Sequence, residues 1–324
     1  DAVVNQTSIT VTPNAIALID LTPVDAQITA GAGQQYSATS YDAFGNLNST
    51  LVSFSSNGSI DASGLFNSTA SGAYSVTATD AGTNVSNTTV VYVNPEVISV
   101  ILLTPVDSTT EAGVGVQYTA LGFDGYGNSN NSYIIYNSNG SIDALGFFNV
   151  TANGSYSINA TDAGTGVSNS TILLVTPNSN VGQVIIASSP ATLTAGLNQS
   201  FTASVYDIWG NLNSGASVSW SSNSTKISSS TGEFYERTAG AYEVNATSGA
   251  ITNTTVIDVV PNVVTFISLS PLSSSTTAGI GQNLSGVGFD AYGNINSSAS
   301  FSWASNSSLG ASAFNSTAGD VVFF

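Results

Sequence analysis

The sequence contains no histidine, cysteine or methionine, and its only basic residues are Lys226 and Arg237. Without histidine or cysteine, the chain cannot build a thiolate zinc site, an imidazole general base or a serine–histidine nucleophile. Its formal net charge is −17, and it lacks the clustered cations that neutralise phosphates, which excludes nucleic acid as a partner. We therefore predict no catalytic residues, no metal site and no cofactor.

Long apolar runs are also missing. No stretch approaches the roughly 18 consecutive apolar residues of a membrane-spanning helix, so no membrane span is expected in this chain. The first residue is Asp1, and no basic segment followed by an apolar one comes after it. We expect that a leader has been removed or that the sequence is a segment of a longer protein.

A motif of the form Asp-x-aromatic-Gly-Asn occurs four times and defines an internal repeat. It begins at Asp42, Asp124, Asp207 and Asp290, so the spacing is about 82 residues. The glycine of an Ala-Gly pair recurs with the same spacing at positions 31, 113, 196 and 279. We predict a separate N-terminal strand at 1–14 and four repeats. The repeats span 15–96, 97–178, 179–262 and 263–324.

Within each repeat, apolar residues alternate with a period of two, which indicates β-strands rather than helices. About seven short strands with Gly, Asn and Asp turns are typical of an immunoglobulin-like β-sandwich. The predicted fold class is therefore all-β, with three complete tandem sandwiches and an incomplete fourth. One large aromatic residue follows each motif and is expected at the centre of the core: Phe54, Tyr136, Trp220 and Trp303.

The third repeat carries a resemblance to a known family. Its runs from Ala203 to Asn211, Val218 to Trp220 and Ala239 to Ala246 resemble the tandem immunoglobulin-like domains of prokaryotic surface proteins of the invasin and bacterial Ig-like type. The likeness covers essentially the whole chain, repeat by repeat. It implies an extracellular stalk, adhesin or filament, and its motifs specify no ligand.

The Asp-x-aromatic-Gly-Asn motif has two interpretations. Calcium needs six to eight oxygen ligands, usually from several carboxylates, whereas each motif supplies one. We interpret the motif as a turn in which the aspartate side chain caps backbone groups. Inter-domain calcium, for example at Asp61 or Asp143, stays open as the lesser alternative.

Asparagine-linked glycosylation is the strongest modification signal. The predicted acceptors are Asn5, Asn48, Asn57, Asn67, Asn84, Asn87, Asn130, Asn139, Asn149, Asn153, Asn159, Asn169, Asn198, Asn223, Asn245, Asn253, Asn283, Asn296, Asn306 and Asn315. Asn5, Asn87, Asn169 and Asn253 recur at one place in the repeat, where a glycan is expected to point outward. The near absence of Lys and Arg resembles the cell-surface glycoproteins of acid-living archaea.

The most specific hypothesis comes from where in the repeat the sequence begins and where it ends. Residues 1–14 match the final strand of a repeat, while the fourth repeat stops before its own final strand. We expect that the strand of one subunit completes the fourth repeat of the next, which is donor-strand complementation. Val3, Ile9 and Val11 are the expected donor residues, and Trp303, Val321 and Phe323 the expected lining of the acceptor groove.

Such a contact propagates head to tail and predicts a homopolymeric extracellular filament with a role in adhesion or biofilm. This design resembles archaeal threads and pili that assemble by strand exchange. The alternative is a segment of a longer Ig-repeat stalk, adhesin or surface-layer glycoprotein, since any window four repeats long has complementary ends. An enzyme is not expected, because paired carboxylates in a cleft are not indicated.

Overall fold

The computed structural model describes residues 4–130, 133–187, 191–277 and 280–304, and the backbone of 320–322. In these ranges all regular structure is β-strand, arranged in several sheets. The prediction of an all-β chain of tandem β-sandwiches is confirmed. The chain forms two compact units, of which the first comprises Asp1–Thr110, Val114–Val150 and Gly154–Val175. The second comprises Glu111–Gly113, Thr151–Asn153 and Thr176–Phe324.

The first unit contains the strands of the first two predicted repeats. Those of the first are β1 (Ile16–Thr22), β2 (Ala26–Thr29), β3 (Gly33–Gln35), β4 (Ser37–Asp42), β5 (Leu47–Asn48), β6 (Val52–Ser56), β7 (Ser59–Ile60), β8 (Leu65–Asn67), β9 (Gly72–Asp80) and β10 (Ser86–Asn94). Those of the second are β11 (Val100–Thr104), β12 (Ser108–Glu111), β13 (Val116–Gln117), β14 (Thr119–Phe123), β15 (Ile134–Ser138), β16 (Phe147–Phe148), β17 (Gly154–Asp162) and β18 (Ser168–Thr176).

The second unit contains the strands of the last two predicted repeats. Those of the third are β19 (Val181–Ile186), β20 (Thr192–Thr194), β21 (Asn198–Ser200), β22 (Ala203–Asp207), β23 (Ser219–Ser222), β24 (Glu233–Tyr235), β25 (Gly240–Ser248) and β26 (Ile251–Val260). Those of the fourth are β27 (Phe266–Ser270), β28 (Gly281–Asn283), β29 (Ser285–Phe289) and β30 (Asp320–Val322).

Each of the first three repeats has one four-stranded sheet with a common strand order. The order is β2-β10-β9-β6 in the first, β12-β18-β17-β15 in the second and β20-β26-β25-β23 in the third. The last two strands form an antiparallel hairpin, and β2 and β20 pair in parallel with β10 and β26. The opposing strands β1 and β4 pair antiparallel and close the sandwich from the other side.

The core lies between these two layers and follows the alternating pattern. In the first repeat, Ile19 and Leu21 of β1 form one cluster with Val76 of β9 and Val91 and Val93 of β10. Because neighbouring side chains of a strand point to opposite faces, the intervening residues face solvent. This burial is the main source of stability for chains of this type.

The expected central aromatics are correct only in the third repeat, where Trp220 is buried. Phe54, Tyr136 and Trp303 are half-buried. Position in the sheet does not explain this difference, because Phe54, Tyr136 and Trp220 all lie on the last strand of a four-stranded sheet. Trp220 packs against the buried Phe201, with ring centroids 6.1 Å apart. The fully buried aromatic positions are instead occupied by Tyr36, Tyr118, Phe66, Phe148 and Phe234.

The fourth repeat exposes a strand that is buried in the others. Ile267 of β27 corresponds to Ile19, Ile101 and Val184, which are 1%, 3% and 2% exposed, yet Ile267 itself is 52% exposed. The strand β30 pairs antiparallel with β28. In the third repeat, the equivalent strand β21 pairs with β24 rather than with the hairpin strand β25. The strand β30 was expected to be the penultimate strand of the fourth repeat, equivalent to β25. Its pairing with β28 instead corresponds to the pairing of β24 with β21.

Two adjacent leucines of β18 test the assignment of the two faces. Leu173 is fully buried, whereas Leu174 is 49% exposed. We predict that Leu173→Ala lowers the unfolding free energy of the second repeat by about 2–5 kcal/mol, because it leaves a cavity. The same change at Leu174 should cost less than about 1 kcal/mol, since it removes little buried area. Calorimetry of both full-length variants measures this, and equal losses would contradict the assigned register.

Candidate functional site at the repeat joints

The Asp-x-aromatic-Gly-Asn motif forms the predicted turn, and its carboxylate is saturated with hydrogen bonds. In the second repeat, Oδ1 of Asp124 accepts the backbone N–H groups of Tyr126 and Asn128, each at 2.9 Å. Oδ2 accepts the side-chain amide of Asn128 at 2.8 Å and the backbone N–H of Glu96 at 2.9 Å. Because both oxygens are occupied by N–H donors, this carboxylate is a poor cation ligand.

The bond to Glu96 anchors the connection that leads out of β10, directly after Pro95. The side-chain amide of Asn130 donates to the carbonyl of the same Glu96 at 2.8 Å. Both backbone groups of the linker residue are thus held by side chains of the second repeat. The linker is therefore tied to the second repeat at both its donor and its acceptor.

The asparagine of the motif also reaches the preceding repeat. Nδ2 of Asn128 donates to the carbonyl of Thr69 at 2.9 Å, and Oδ1 accepts the backbone N–H of Ser71 at 2.8 Å. One side-chain amide therefore bridges the second repeat's turn to the loop between β8 and β9. The sequence indicated only a turn role for Asn128, and no property of the motif itself signalled the bridge.

The aromatic residue of the motif covers a glycine of the preceding repeat. Gly31 has a left-handed φ of 81°, and a Cβ atom there would collide with the phenol of Tyr126. Only glycine combines this backbone conformation with such a close approach. The common 82-residue spacing of glycine and motif was the signal in the sequence that could have revealed this contact.

The same joint recurs within the second unit. Asn294 donates to the carbonyl of Arg237 at 2.7 Å and accepts the backbone N–H of Ala239 at 2.8 Å. Tyr292 covers Gly196, whose φ is 88°. The guanidinium of Arg237 lies 5.4 Å from the ring centroid of Tyr292, close enough for a cation–π interaction.

The first repeat presents the same motif without a described partner. Oδ2 of Asp42 accepts the backbone N–H of Asn14 at 2.9 Å, and Asn48 donates to the carbonyl of Asn14 at 2.9 Å. The turn is therefore formed in the first repeat, and both backbone groups of the linker residue Asn14 are held by its side chains. Phe44, however, is 80% exposed, and Asn46 makes no bond to another repeat in the described residues.

The recurring glycosylation signal at Asn87 has a structural explanation. Nδ2 of Asn87 donates to the carbonyl of Ile19 at 2.9 Å and so ties β10 to β1. Asn169 makes the same bond to Ile101, and Asn253 makes it to Val184, each at 2.8 Å. We call these three residues the clamp asparagines. The side chains of Asn87 and Asn169 are exposed and that of Asn253 is half-buried. The hydrogen bonds engage the amide nitrogens that would carry a glycan, and the outward direction of such a glycan stays a prediction.

The other predicted acceptors differ in exposure. Exposed are Asn5, Asn57, Asn67, Asn84, Asn139, Asn149, Asn153, Asn198, Asn223 and Asn283. Half-buried are Asn48, Asn130, Asn159, Asn245 and Asn296. Asn306 and Asn315 lie outside the described residues. Glycosylation itself stays a prediction at every position.

Of the predicted donor residues, Val3 lies outside the described residues, and Ile9 and Val11 are 86% and 85% exposed. Of the predicted groove residues, Phe323 lies outside the described residues. Val321 lies in β30, where its backbone pairs with Gln282 of β28. Trp303 is half-buried beside Phe301, with ring centroids 6.5 Å apart. Described contacts do not bring donor and groove together, and both assignments stay predictions.

Acidic side chains do not converge in the part of the chain that the structure describes. No group of three Asp, Glu, His or Cys residues there could hold a metal ion. Oδ1 of Asp61 accepts bonds from Ser63 and Leu65, and Oδ1 of Asp143 accepts the backbone N–H groups of Leu145 and Phe147. Within the same ranges, no helix is long and apolar enough to cross a membrane.

Comparisons with known proteins show distant structural similarity. No protein-family model and no curated protein matches the chain. The Escherichia coli adhesin FdeC shares 15% identity and a TM-score of 0.48, with 77% of this chain and 100% of that structure covered. Domains 1–6 of the surface layer protein SbsC share 18% identity and a TM-score of 0.30, with coverages of 88% and 45%.

The extracellular domain of protocadherin γB4 shares 10% identity and a TM-score of 0.38, with coverages of 83% and 56%. The chain thus spans less than half of the SbsC structure. Because all three TM-scores are below 0.5, the functional interpretation is built on the residues of this chain.

The carboxylates of the motif aspartates, which lie at the joints between repeats, allow a prediction of how stability depends on pH. Burial raises the pKa of Asp124, but the amide of Asn128 and the backbone N–H groups of Glu96, Asn128 and Tyr126 outweigh it and lower the pKa to about 2. An unfolded aspartate titrates near pH 3.9. The stabilisation from this group is therefore complete above about pH 4 and is lost as the pH falls through about 2.

We predict that Asp124→Asn lowers the melting temperature at pH 5, because its amide N–H faces the donors of Glu96 and Asn128. The variant should also lose less stability than the original protein between pH 4 and pH 2. Asp20→Asn, on the exposed face of β1, is the control and should keep the original pH dependence. Thermal melts across this range measure both, and unchanged pH profiles for Asp124→Asn would contradict the assigned role.

Proposed function

We propose that this chain is a load-bearing structural segment of an extracellular surface protein. The observation that carries this proposal is the repeated joint. In both units, a saturated carboxylate, a bridging asparagine and an aromatic ring over glycine fix one repeat to the next. A protein that only needed to tether a ligand-binding head could use a flexible linker. Joints of this kind favour a role in which length and stiffness matter.

The strand order within a repeat supports mechanical resistance. Val91 to Asn94, at the end of β10, pair in parallel with Ala26 to Thr29 of β2. Tension enters the first repeat through β1, which leads directly into β2, and leaves from the end of β10. Since parallel neighbours are then pulled in opposite directions, the hydrogen bonds of this ladder are loaded together in shear rather than opened one by one.

The extracellular location is supported by composition. Twenty Asn-x-Ser/Thr signals and a surface rich in hydroxyl and amide groups suit a secreted glycoprotein. The joints keep their hydrogen-bonded form down to about pH 2 because of the lowered pKa of Asp124 and of Asp290. A surface exposed to acid would benefit from both properties.

Force spectroscopy tests the load-bearing role. The backbone N–H of Ala30 donates to the carbonyl of Asn94 at 2.8 Å, and the alternation along a strand directs the N–H of Ile28 to β10 as well. We predict that Ile28→Pro lowers the unfolding force of the first repeat, because proline cannot donate to this ladder. Losing one backbone hydrogen bond costs about 1.4 kcal/mol, which corresponds to an about tenfold faster unfolding rate at a given force.

Ile28→Ala is the matched control for this variant. It removes the same part-buried side chain but keeps the N–H group, so any further loss of force in Ile28→Pro comes from the ladder. Equal unfolding forces for both variants would contradict shear loading of this ladder.

A second candidate is the head-to-tail filament, which is favoured by complementary exposed surfaces. Ile9 and Val11 occupy the positions of Val91 and Val93 of β10, which are buried. In the fourth repeat, Ile267 and Leu269 of β27 are exposed, although their equivalents Ile19 and Leu21 are buried. Each surface supplies what the other lacks. A second copy of the chain would satisfy both, and so would further repeats of a longer chain.

The clamp asparagines set the register of this contact. Asn5 precedes Ile9 as Asn87 precedes Val91, and Asn87 donates to the carbonyl of Ile19. In an inserted strand, Asn5 of one copy would donate to the carbonyl of Ile267 in the next. Phe44, which is exposed, would then cover the receiving repeat as Tyr126 covers Gly31. The proposed contact thus reuses every element of an internal joint.

Immunogold electron microscopy of intact producing cells distinguishes the candidates. Label along continuous fibres supports the filament, label on the envelope without fibres supports the stalk, and label only after permeabilisation contradicts both. We further predict that Ile9→Asp with Val11→Asp abolishes fibres formed by purified protein, because charges cannot enter an apolar core. Ser8→Asp with Thr10→Asp alters the opposite face and should affect fibres far less. Fibres of normal length from the first variant would rule out strand insertion.

A further inference from the structure

A second set of asparagines recurs in the repeats. Their side chains are held through the amide oxygen, whereas those of the clamp asparagines are held through the amide nitrogen. Asn57, Asn139 and Asn223 each follow directly after the last strand of a four-stranded sheet, namely β6, β15 and β23. We call them the loop asparagines. All three begin Asn-x-Ser/Thr signals and are exposed, as Asn87 and Asn169 are, so the difference lies in the hydrogen bonds. Asn306 has the equivalent position in the fourth repeat and lies outside the described residues.

Each loop asparagine is held through its oxygen. Oδ1 of Asn57 accepts the backbone N–H of Ser75 at 2.8 Å, and Oδ1 of Asn139 accepts that of Ser157 at 2.8 Å. Oδ1 of Asn223 accepts the backbone N–H of Glu243 at 3.0 Å. The amide nitrogens of these three side chains have no hydrogen-bond partner within the described ranges. The nitrogen that would carry a glycan is therefore free, while the side chain is fixed at the sheet edge.

The Ser or Thr of the Asn-x-Ser/Thr signal is also exposed at the loop asparagines and buried after two of the clamp asparagines. Ser59, Ser141 and Thr225, which follow the loop asparagines, are exposed. Thr89 follows the clamp residue Asn87, is buried, and accepts the backbone N–H of Asp25 at 2.9 Å. Thr171 does the same for Asp107 at 2.8 Å. At Asn87 and Asn169, both parts of the signal are engaged in the folded repeat.

We infer that the folded protein is N-glycosylated at the loop asparagines and spared at Asn87 and Asn169. The amide nitrogen attacks the anomeric carbon of a lipid-linked oligosaccharide. A nitrogen–carbon bond forms, the carbon–oxygen bond to phosphate breaks, the lipid phosphate leaves and the amide proton passes to a base. Modification of a clamp first requires local opening, which lowers its reactive population. The biological use of these glycans rests on the proposed extracellular function, whereas the site selectivity does not.

The test uses the full chain made in a host without N-glycosylation. The folded protein is incubated with an oligosaccharyltransferase that accepts Asn-x-Ser/Thr and with its lipid-linked oligosaccharide. Glycopeptide mass spectrometry should find at least about tenfold higher occupancy at Asn57 and Asn139 than at Asn87 and Asn169, as expected for an opening cost near 1.4 kcal/mol. Comparable occupancy at the clamps overturns the inference. Short peptides around Asn57 and Asn87 are the unfolded control and should both be modified.

If both peptides are modified but the folded chain is not modified at the loop sites, the inference is also wrong. A matched pair of variants tests the geometry without any glycan. Asn57→Asp keeps the oxygen that accepts from Ser75 and replaces the free nitrogen with a second, exposed carboxylate oxygen, so the melting temperature should not fall. Asn87→Asp removes the donor to Ile19 and sets a carboxylate against its carbonyl, so the melting temperature should fall. Equal melting temperatures would refute the distinction between clamp and loop.

Discussion

The structure depends on a buried carboxylate that is fully satisfied by N–H donors. At Asp124, one aspartate closes a tight turn, orients the asparagine of the same turn and holds the linker that enters the repeat. A buried carboxylate without these donors would carry a large desolvation cost. Because the donors come from the turn and from the linker, the charge is stable only when both are in place. Local turn formation and the docking of neighbouring repeats are thus coupled through one side chain.

The repeat architecture could be predicted because it rests on local patterns. The spacing of the motif and the alternation of apolar residues are properties of the chain itself, and they indicated tandem sandwiches. The central aromatic was less predictable, because Trp220 is buried and Phe54 half-buried although both lie on the outermost strand of a sheet. The difference arises from tertiary packing, such as that of Trp220 on Phe201, which the alternating pattern of a strand does not reveal.

The candidate site was only partly accessible from the sequence for a similar reason. The turn around Asp124 is local and was recognised, whereas the bridge from Asn128 to Thr69 spans 59 residues. Asparagine signals were also ambiguous, since the same amide serves as a glycan acceptor or as a hydrogen-bond donor. Asn57 and Asn87 look alike in sequence and differ in which atom of the side chain the fold uses.

The contacts that the described joints share come from recurring residues: the turn motif on one side, and the glycine and loop backbone groups on the other. The cation–π contact of Arg237 is particular to one joint. The shared contacts do not depend on which two repeats they connect, as the agreement between Tyr126 on Gly31 and Tyr292 on Gly196 illustrates. Gain or loss of whole repeats by recombination would change the reach of the protein without requiring any new interface. Natural variation in such a chain is thus expected in steps of one module rather than of single residues.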